Sequence, residues 1–307
     1  MKKHMIMNGK KTYKANLHCH TTVSDGRHTP EEIKAIYTAK GYSIVAFTDH
    51  NVLKSQEHLN DDGFLAINSC EVDINQKPTQ GMSTYHLNLY ATRPDMKETP
   101  PLPRMDYHDI DAINQYIADR VEEGFIVCYN HPYWSMQTYD DYTKLQGCFA
   151  MEIYNHGCEV DDGCYGNHTR VYDEMLQSGQ RLFCVSTDDN HNRGPAHLPD
   201  LDSFGGFTHI SSKSLKYEDV MAALKNGDFY SSQGPEIYEI SIDGDNLTVK
   251  CSPVQSIMVL YHGRSRYEAA GDGLTEATFK LRGNEGYIRV VCRDKNKNDA
   301  NSNAYWL

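Results

Sequence analysis

The sequence predicts an α/β unit in which strands and helices alternate, followed by a smaller all-β unit, and three observations lead there. Apolar runs recur through the first 235 residues, most of them ending in a polar, ligand-type side chain. Helical segments with start and stop signals lie between several of these runs. Beyond about residue 235 the helical pattern disappears and short alternating or apolar segments take over.

In order, Lys14-Ala15-Asn16-Leu17 reads as a short strand leading into His18-Cys19-His20, with Thr21 to His28 as the polar loop beyond. Successive strand side chains alternate between faces, so His18 and His20 share a face from which Cys19 points away. Thr29-Pro30-Glu31-Glu32 combines an N-cap, a proline at the first helical position and a glutamate able to close a capping box, which predicts a helix to Lys40 stopped by Gly41. Ser43 to Phe47 is the next strand and leads to His50, and Glu71 comes late in the strand begun by Phe64-Leu65-Ala66-Ile67. From Glu71 to Thr92 two extended stretches are joined by a polar loop with Pro78 and Gly81, as in a hairpin or insertion, and the proline-rich residues 93 to 107 form a connector or lid.

The rhythm then resumes. A helix through Ala112 to Glu123 closes at Gly124 before the strand Phe125 to Cys128, which His131 follows. Glu152 to His156 ends another strand, a helix through Val171 to Gln177 closes near Gly179, and Leu182 to Val185 leads to Asp189-Asn190-His191. Asp188 to Asp202 is a long loop and Tyr217 to Lys225 a last helix ending at Asn226-Gly227. Strand, helix, glycine, strand is the rhythm of a parallel α/β fold, whose loops after the strands gather at one face. Residues 237–242, 247–251, 257–261, 278–281 and 287–292 are the strands expected of a small β-sandwich, with the boundary near residue 235.

The chain has 307 residues, enough for a substantial core without staples. Its nine cysteines form no C-x-x-C pair and mostly fall in apolar runs, and no apolar signal segment opens the chain, so a reducing cytoplasm is the expected home. No stretch approaches the roughly 18 apolar residues of a membrane span. Thirty Lys and Arg face 42 Asp and Glu, a net charge of −12 that disfavours general nucleic-acid binding. Small phosphorylated substrates stay open, because bound divalent ions would reverse the local field. Oligomeric state is not legible.

Six histidines and three carboxylates, His18, His20, Asp25, His50, Glu71, His86, His131, Asp189 and His191, thus sit almost entirely at expected strand ends. A single histidine in a strand is more often a core or surface residue. The set, imidazole with carboxylate and without a thiolate cluster, suits zinc, manganese or iron.

His18-Cys19-His20, Asp25-Gly26, Thr48-Asp49-His50-Asn51, Glu71, His86, Asn130-His131-Pro132 and Asp189-Asn190-His191 resemble the motifs of the PHP (polymerase and histidinol phosphatase) superfamily, in family order over residues 14 to 235. The resemblance implies a distorted seven-stranded β/α barrel with two or three divalent ions. It places one ion on His18, His20, Glu71 and Asp189, with Glu71 bridging to a second on His86 and His131, and a third on Asp25, His50 and His191. Glu71, Asp189 and His191 are the expected catalytic residues. Asp49 and Asp188 are read as carboxylates orienting histidines or as strand-end caps. Gly227 to Pro235 and the β-rich tail resemble more narrowly the branch related to carbaryl hydrolase.

A water on such a site loses its proton near neutral pH, so the leading expectation is small-molecule phosphoester hydrolysis, a phosphatase or phosphodiesterase with a metal-bridging hydroxide as nucleophile. Amide, carbamate or carboxylic ester hydrolysis by the same site is the alternative, and a non-catalytic metal-containing binding module a second. Arg27 and Arg193 are candidate phosphate clamps or plain loop arginines. Tyr133, Trp134 and Tyr154 are either substrate-flanking or packing aromatics, and Asn155 and His156 either substrate contacts or loop braces.

Overall fold

The computed structural model describes residues 3–6, 11–77, 83–161, 163 and 165–307. In chain order the elements are β1 (Lys3–Ile6), β2 (Lys11–Asn16), α1 (Pro30–Ala39), β3 (Ile44–Phe47), β4 (Leu65–Asn75), β5 (Thr84–Ala91), α2 (Ile110–Glu123), β6 (Phe125–Tyr129), α3 (Tyr139–Tyr142), β7 (Ala150–Asn155), α4 (His156–Val160), α5 (Thr169–Gln177), β8 (Phe183–Thr187), β9 (Phe207–Ser212), α6 (Tyr217–Asn226) and β10 (Phe229–Ser232). Then follow β11 (Ile237–Asp243), β12 (Asn246–Tyr261), β13 (Arg266–Lys280), β14 (Tyr287–Arg293), β15 (Asp299–Ser302) and β16 (Tyr305–Trp306).

The four helices read from the sequence form for the reasons given. Thr29 caps α1 by accepting from Glu32 N at 3.2 Å, and the Glu32 carboxylate accepts from Thr29 N at 2.8 Å. Gly124 and Gly227 end α2 and α6 in the left-handed conformation. Strands of the first unit such as β3 are apolar on both faces because both are covered. In β3, Ile44 and Ala46 join one buried cluster with β2, β4 and α6, while Val45 and Phe47 join another with Ile33 and Tyr37 of α1.

The strands form one mixed sheet in the order β1-β11-β12-β14-β15-β10-β9-β2-β3-β4-β5-β6-β7-β8, with β13 on β12 and β16 on β14. β2, β3 and β4 are parallel, as are β6, β7 and β8, while β5 runs antiparallel to both its neighbours. Strand-to-strand hydrogen bonding does not close this sheet, since β8 ends the path. Just past the strand ends, Asp189 N donates to His18 O at 2.9 Å and His20 N to Asn190 O at 3.0 Å, so the segments after β2 and β8 lie side by side.

The C-terminal segment is all strand, as expected, and it is tied to the first unit. Its strands continue the same hydrogen-bonded sheet, because β15 pairs with both β14 and β10, and β1 returns to pair with β11. Around Val249, Ile257, Val259, Ile288 and Val290 they nevertheless enclose a buried cluster of their own. The two strands expected at 247–251 and 257–261 are one strand, β12, whose irregular register near Val254 interrupts the apolar pattern. The hairpin of β4 and β5 forms, but its expected turn with Pro78 and Gly81 lies outside the described residues.

Candidate metal centre

All nine candidate ligands meet at the end of the sheet toward which β2, β3, β6, β7 and β8 run. His18 and His20 follow β2, His50 follows β3, His131 follows β6, and Asp189 and His191 follow β8. Glu71 and His86 arrive by another route. Glu71 lies within β4, not at its end, and β5 reaches the same rim with its first residues because it runs antiparallel. Register pairs Glu71 with Asn88 and Asp73 with His86, so Glu71 and His86 are diagonal neighbours on one face, and their side chains approach to 3.0 Å.

Glu71 is the hub. Its Oε1 lies 3.3 Å from His18 Nε2, 3.0 Å from His86 Nδ1 and 3.3 Å from His131 Nε2, and its Oε2 lies 3.1 Å from His50 Nδ1 and 3.4 Å from His20 Nε2. Asp189 Oδ1 lies 3.1 Å from His18 Nε2 and 3.0 Å from His20 Nε2. Four groups have ligand atoms within 4.8 Å of one another: His20 with Asp25, His50 and His191; His18 with His131 and Asp189; His18 with His20 and Glu71; and His50 with Glu71 and His86. His20, like His18, His50 and Glu71, belongs to two of these groups, and its ring stacks on that of His191 at 4.2 Å.

These residues fit cations. The Nε2 atoms of His18 and His20 face each other at 3.1 Å, which requires a proton or an ion between them. Among the described residues nothing hydrogen-bonds His20 Nδ1, a buried polar atom. The buried carboxylates pull His18, His20 and His131 toward the protonated form. Burial alone would lower the pKa of His18, but Asp189, Glu71 and Glu152 hold it well above the usual value, and burial of His20 is outweighed by Asp189 and Glu71, which raise it to about 9. Glu71 is pulled well below the carboxylate range against the penalty of its burial by His86, His18 and His50.

The second layer is specific. Glu152 of β7, fully buried, accepts from His18 Nδ1 at 2.7 Å, from Thr187 Oγ1 at 2.6 Å, from His131 N at 3.0 Å and from Asn155 Nδ2 at 2.9 Å. It fixes the His18 tautomer with Nε2 turned to the site. Sequence reasoning misses this residue, and its position within the strand ending at Asn155 is the one signal that points to it. Of the two roles open to Asp49 and Asp188, orienting histidines or capping strand ends, both take the second. Asp49 accepts from Thr21 N and Ser24 N, and Asp188 from Tyr37 Oη and from the amides of Phe204, Gly205 and Gly206. Each lies where its strand ends, so its nearest donors are loop amides. His131 and Asp189 adopt φ of 23° and 53°, left-handed values that non-glycine residues hold under constraint, often at functional sites. Gly26 cannot carry a side chain, because a Cβ there would meet His20 O at 2.5 Å.

A cavity of about 610 Å³ opens over the cluster, lined by ligand candidates and by Trp134, Gly157, Cys158, Asp161, Arg193, Gly194 and Pro195. Arg193 is at its rim, 2.9 Å from Asp25 Oδ2. Arg27 does not line the cavity; it donates to Gly194 O at 3.3 Å, bracing the loop that carries Arg193. Trp134 faces the cavity with its ring 4.9 Å from that of His131, whereas Tyr133 packs on His168 and Tyr154 bonds His156, both away from the lining. Asn155 donates to Asp189 Oδ2 at 3.0 Å, so it braces a candidate ligand.

Fold and site define an α/β protein with a histidine- and carboxylate-rich centre of the kind that holds divalent ions. The chain belongs to the PHP domain family, whose model matches residues 16–185. No curated protein matches it. Among solved structures, a two-domain protein of Bacteroides vulgatus containing a predicted PHP-like metal-dependent phosphoesterase is 16% identical, with a TM-score of 0.54 over 99% of this chain and 97% of that one. A predicted metal-dependent phosphoesterase of Bifidobacterium adolescentis is 13% identical, with a TM-score of 0.42 over 59% of this chain and 89% of its own. An amidohydrolase of Chromobacterium violaceum, with bound sulfate and no metal, is 15% identical, with a TM-score of 0.40 over 58% and 87%.

Proposed function

We propose that this protein is a divalent-metal-dependent hydrolase that cleaves phosphoesters of small molecules, its catalytic unit spanning residues 1–235 and residues 236–307 forming an accessory unit. The observation that carries the reading is Glu71, buried and ringed by five imidazoles at the floor of an open cavity. His18, His20, Asp25, His50, Glu71, His86, His131, Asp189 and His191 would hold two or three ions. Bound there, divalent ions acidify water and neutralise phosphoryl charge, the two needs of hydrolysis at phosphorus.

The chain's own residues supply the rest. Glu152 holds His18 in one tautomer, Asn155 holds Asp189, and Asn130 donates to Glu71 Oε1 at 2.8 Å, so the carboxylates keep their orientation whether or not substrate is present. Arg193 stands at the rim, where a guanidinium can meet a phosphate that arrives from solvent. The cavity is open, which suits a small molecule.

Metal analysis coupled to an activity panel tests the reading. Protein loaded with Mn²⁺ or Zn²⁺ is expected to hydrolyse members of a set holding p-nitrophenyl phosphate and nucleoside phosphates, and Glu71→Ala and His18→Ala to lose both activity and metal. Turnover of aryl carbamates without phosphatase activity would overturn the choice of substrate. Full activity in both variants would overturn the site.

A further inference from the structure

We propose that Asp161 is the proton donor to the leaving group, an assignment that rests on the phosphoesterase reading above. Among the described residues that line the cavity, Asp25, His50, Glu71, His86, His131, Asp189 and His191 are candidate metal ligands, whose lone pairs are committed to ions. Four other side chains there bear a proton on a heteroatom. Trp134 and Arg193, the latter engaged with Asp25, are set aside because an indole and a guanidinium donate hydrogen bonds in water without giving up a proton. Cys158 is buried, and its thiol is the weaker acid. Asp161 is the remaining acid, exposed to the cavity and outside every ligand group.

Its placement is built into the fold. Gly157 N donates to Asp188 O at 2.7 Å, and a Cβ on Gly157 would lie 2.9 Å from Asp189 O and 3.0 Å from Asp188 O. A glycine therefore lets α4 begin directly against the segment that carries Asp189. Asp161 N donates to Gly157 O at 2.9 Å, so Asp161 closes that same turn and is carried by the contact to the cavity wall.

In the step, a water oxygen forms a bond to phosphorus as the bond from phosphorus to the leaving oxygen breaks. The Asp161 carboxyl proton passes to that leaving oxygen, which departs as a neutral alcohol. Asp161 is left as a carboxylate and is reprotonated from solvent, which has received a proton from the attacking water.

The test compares two phosphomonoesters with the metal-loaded protein: p-nitrophenyl phosphate, whose phenolate leaves without help, and an alkyl phosphate, whose alkoxide does not. Asp161→Asn is expected to keep p-nitrophenyl phosphate turnover within a few-fold and to lose about 10²- to 10⁴-fold on the alkyl ester, with unchanged metal content. Asp161→Glu, which keeps the acid, should recover much of the alkyl activity. Equal losses on both esters, no loss on either, or the selective loss appearing in Asp162→Asn in place of Asp161→Asn would overturn the assignment while leaving the phosphoesterase reading intact. A wild-type protein that turns over neither ester would overturn both.

Discussion

Glu152 shows how a residue outside the candidate ligands shapes the cluster they form. One buried carboxylate binds the outer nitrogen of His18, the amide of His131 and the side chain of Asn155, and Asn155 in turn holds Asp189. Three candidate ligands from three strand ends are thus referred to one anchor. Glu152→Gln removes the charge that keeps His18 a strong donor while preserving shape, and metal affinity should fall about 10- to 100-fold. Competition with a chromophoric chelator measures this; an unchanged dissociation constant would show that the carboxylate is merely accommodated. The ligand residues themselves are legible in the sequence because histidine recurs where apolar strands end, and chance placement does not produce that repetition. Glu152 is not, since a glutamate inside a strand gives no sign of which atoms surround it.

Among the elements, β9 carries the clearest lesson. Its sequence, Phe207 to Ser212, is mostly polar, and nothing in its pattern announces a strand. It forms because β2 and β10 flank it and satisfy its backbone on both sides. One consequence is a half-hidden histidine: His209 pairs across the sheet with Lys14, and burial together with that cation pushes its pKa down to about 4. The unfolded chain therefore takes up a proton near the ordinary value of 6.5 while the folded one does not. The folded state loses stability as pH falls from 6.5 toward 4, on the order of 2 kcal/mol from this group. Urea unfolding across that range should show His209→Gln to be flatter with pH than the wild type; parallel curves would exclude the contribution. The helices are easier to read, because caps and glycines act within a few residues of their own sequence.

At the scale of the molecule, the C-terminal strands are joined to the first unit by more than backbone pairing. Beyond the contact of β15 with β10, Arg289 of β14 is fully buried and its guanidinium meets Asp173 of α5 at 2.8 Å, with Asn301 at 3.2 Å. The Arg289→Met variant keeps the bulk and leaves Asp173, a quarter exposed, without its cation. The expected loss is about 3 kcal/mol, the lower end for breaking a buried pair because water reaches the remaining carboxylate. A fall in the urea midpoint with metal content retained would fit this role; an unchanged midpoint would remove it. The change in sequence pattern places a boundary near residue 235, yet β1 and β15 cross it. Strand partners far apart in the chain leave no local mark.

The sequence by itself determined the alternation of strands and helices, the helix ends and the nine residues that meet at the centre, because periodicity, capping and ligand chemistry are local properties. Only the tertiary structure decided which imidazoles share a carboxylate, that His20 belongs to two groups, that Glu152 and not Asp49 or Asp188 orients His18, and that the C-terminal strands extend the same sheet. Those outcomes depend on approaches such as the 3.0 Å between His20 and Asp189, which stand far apart in the chain and which only packing brings together.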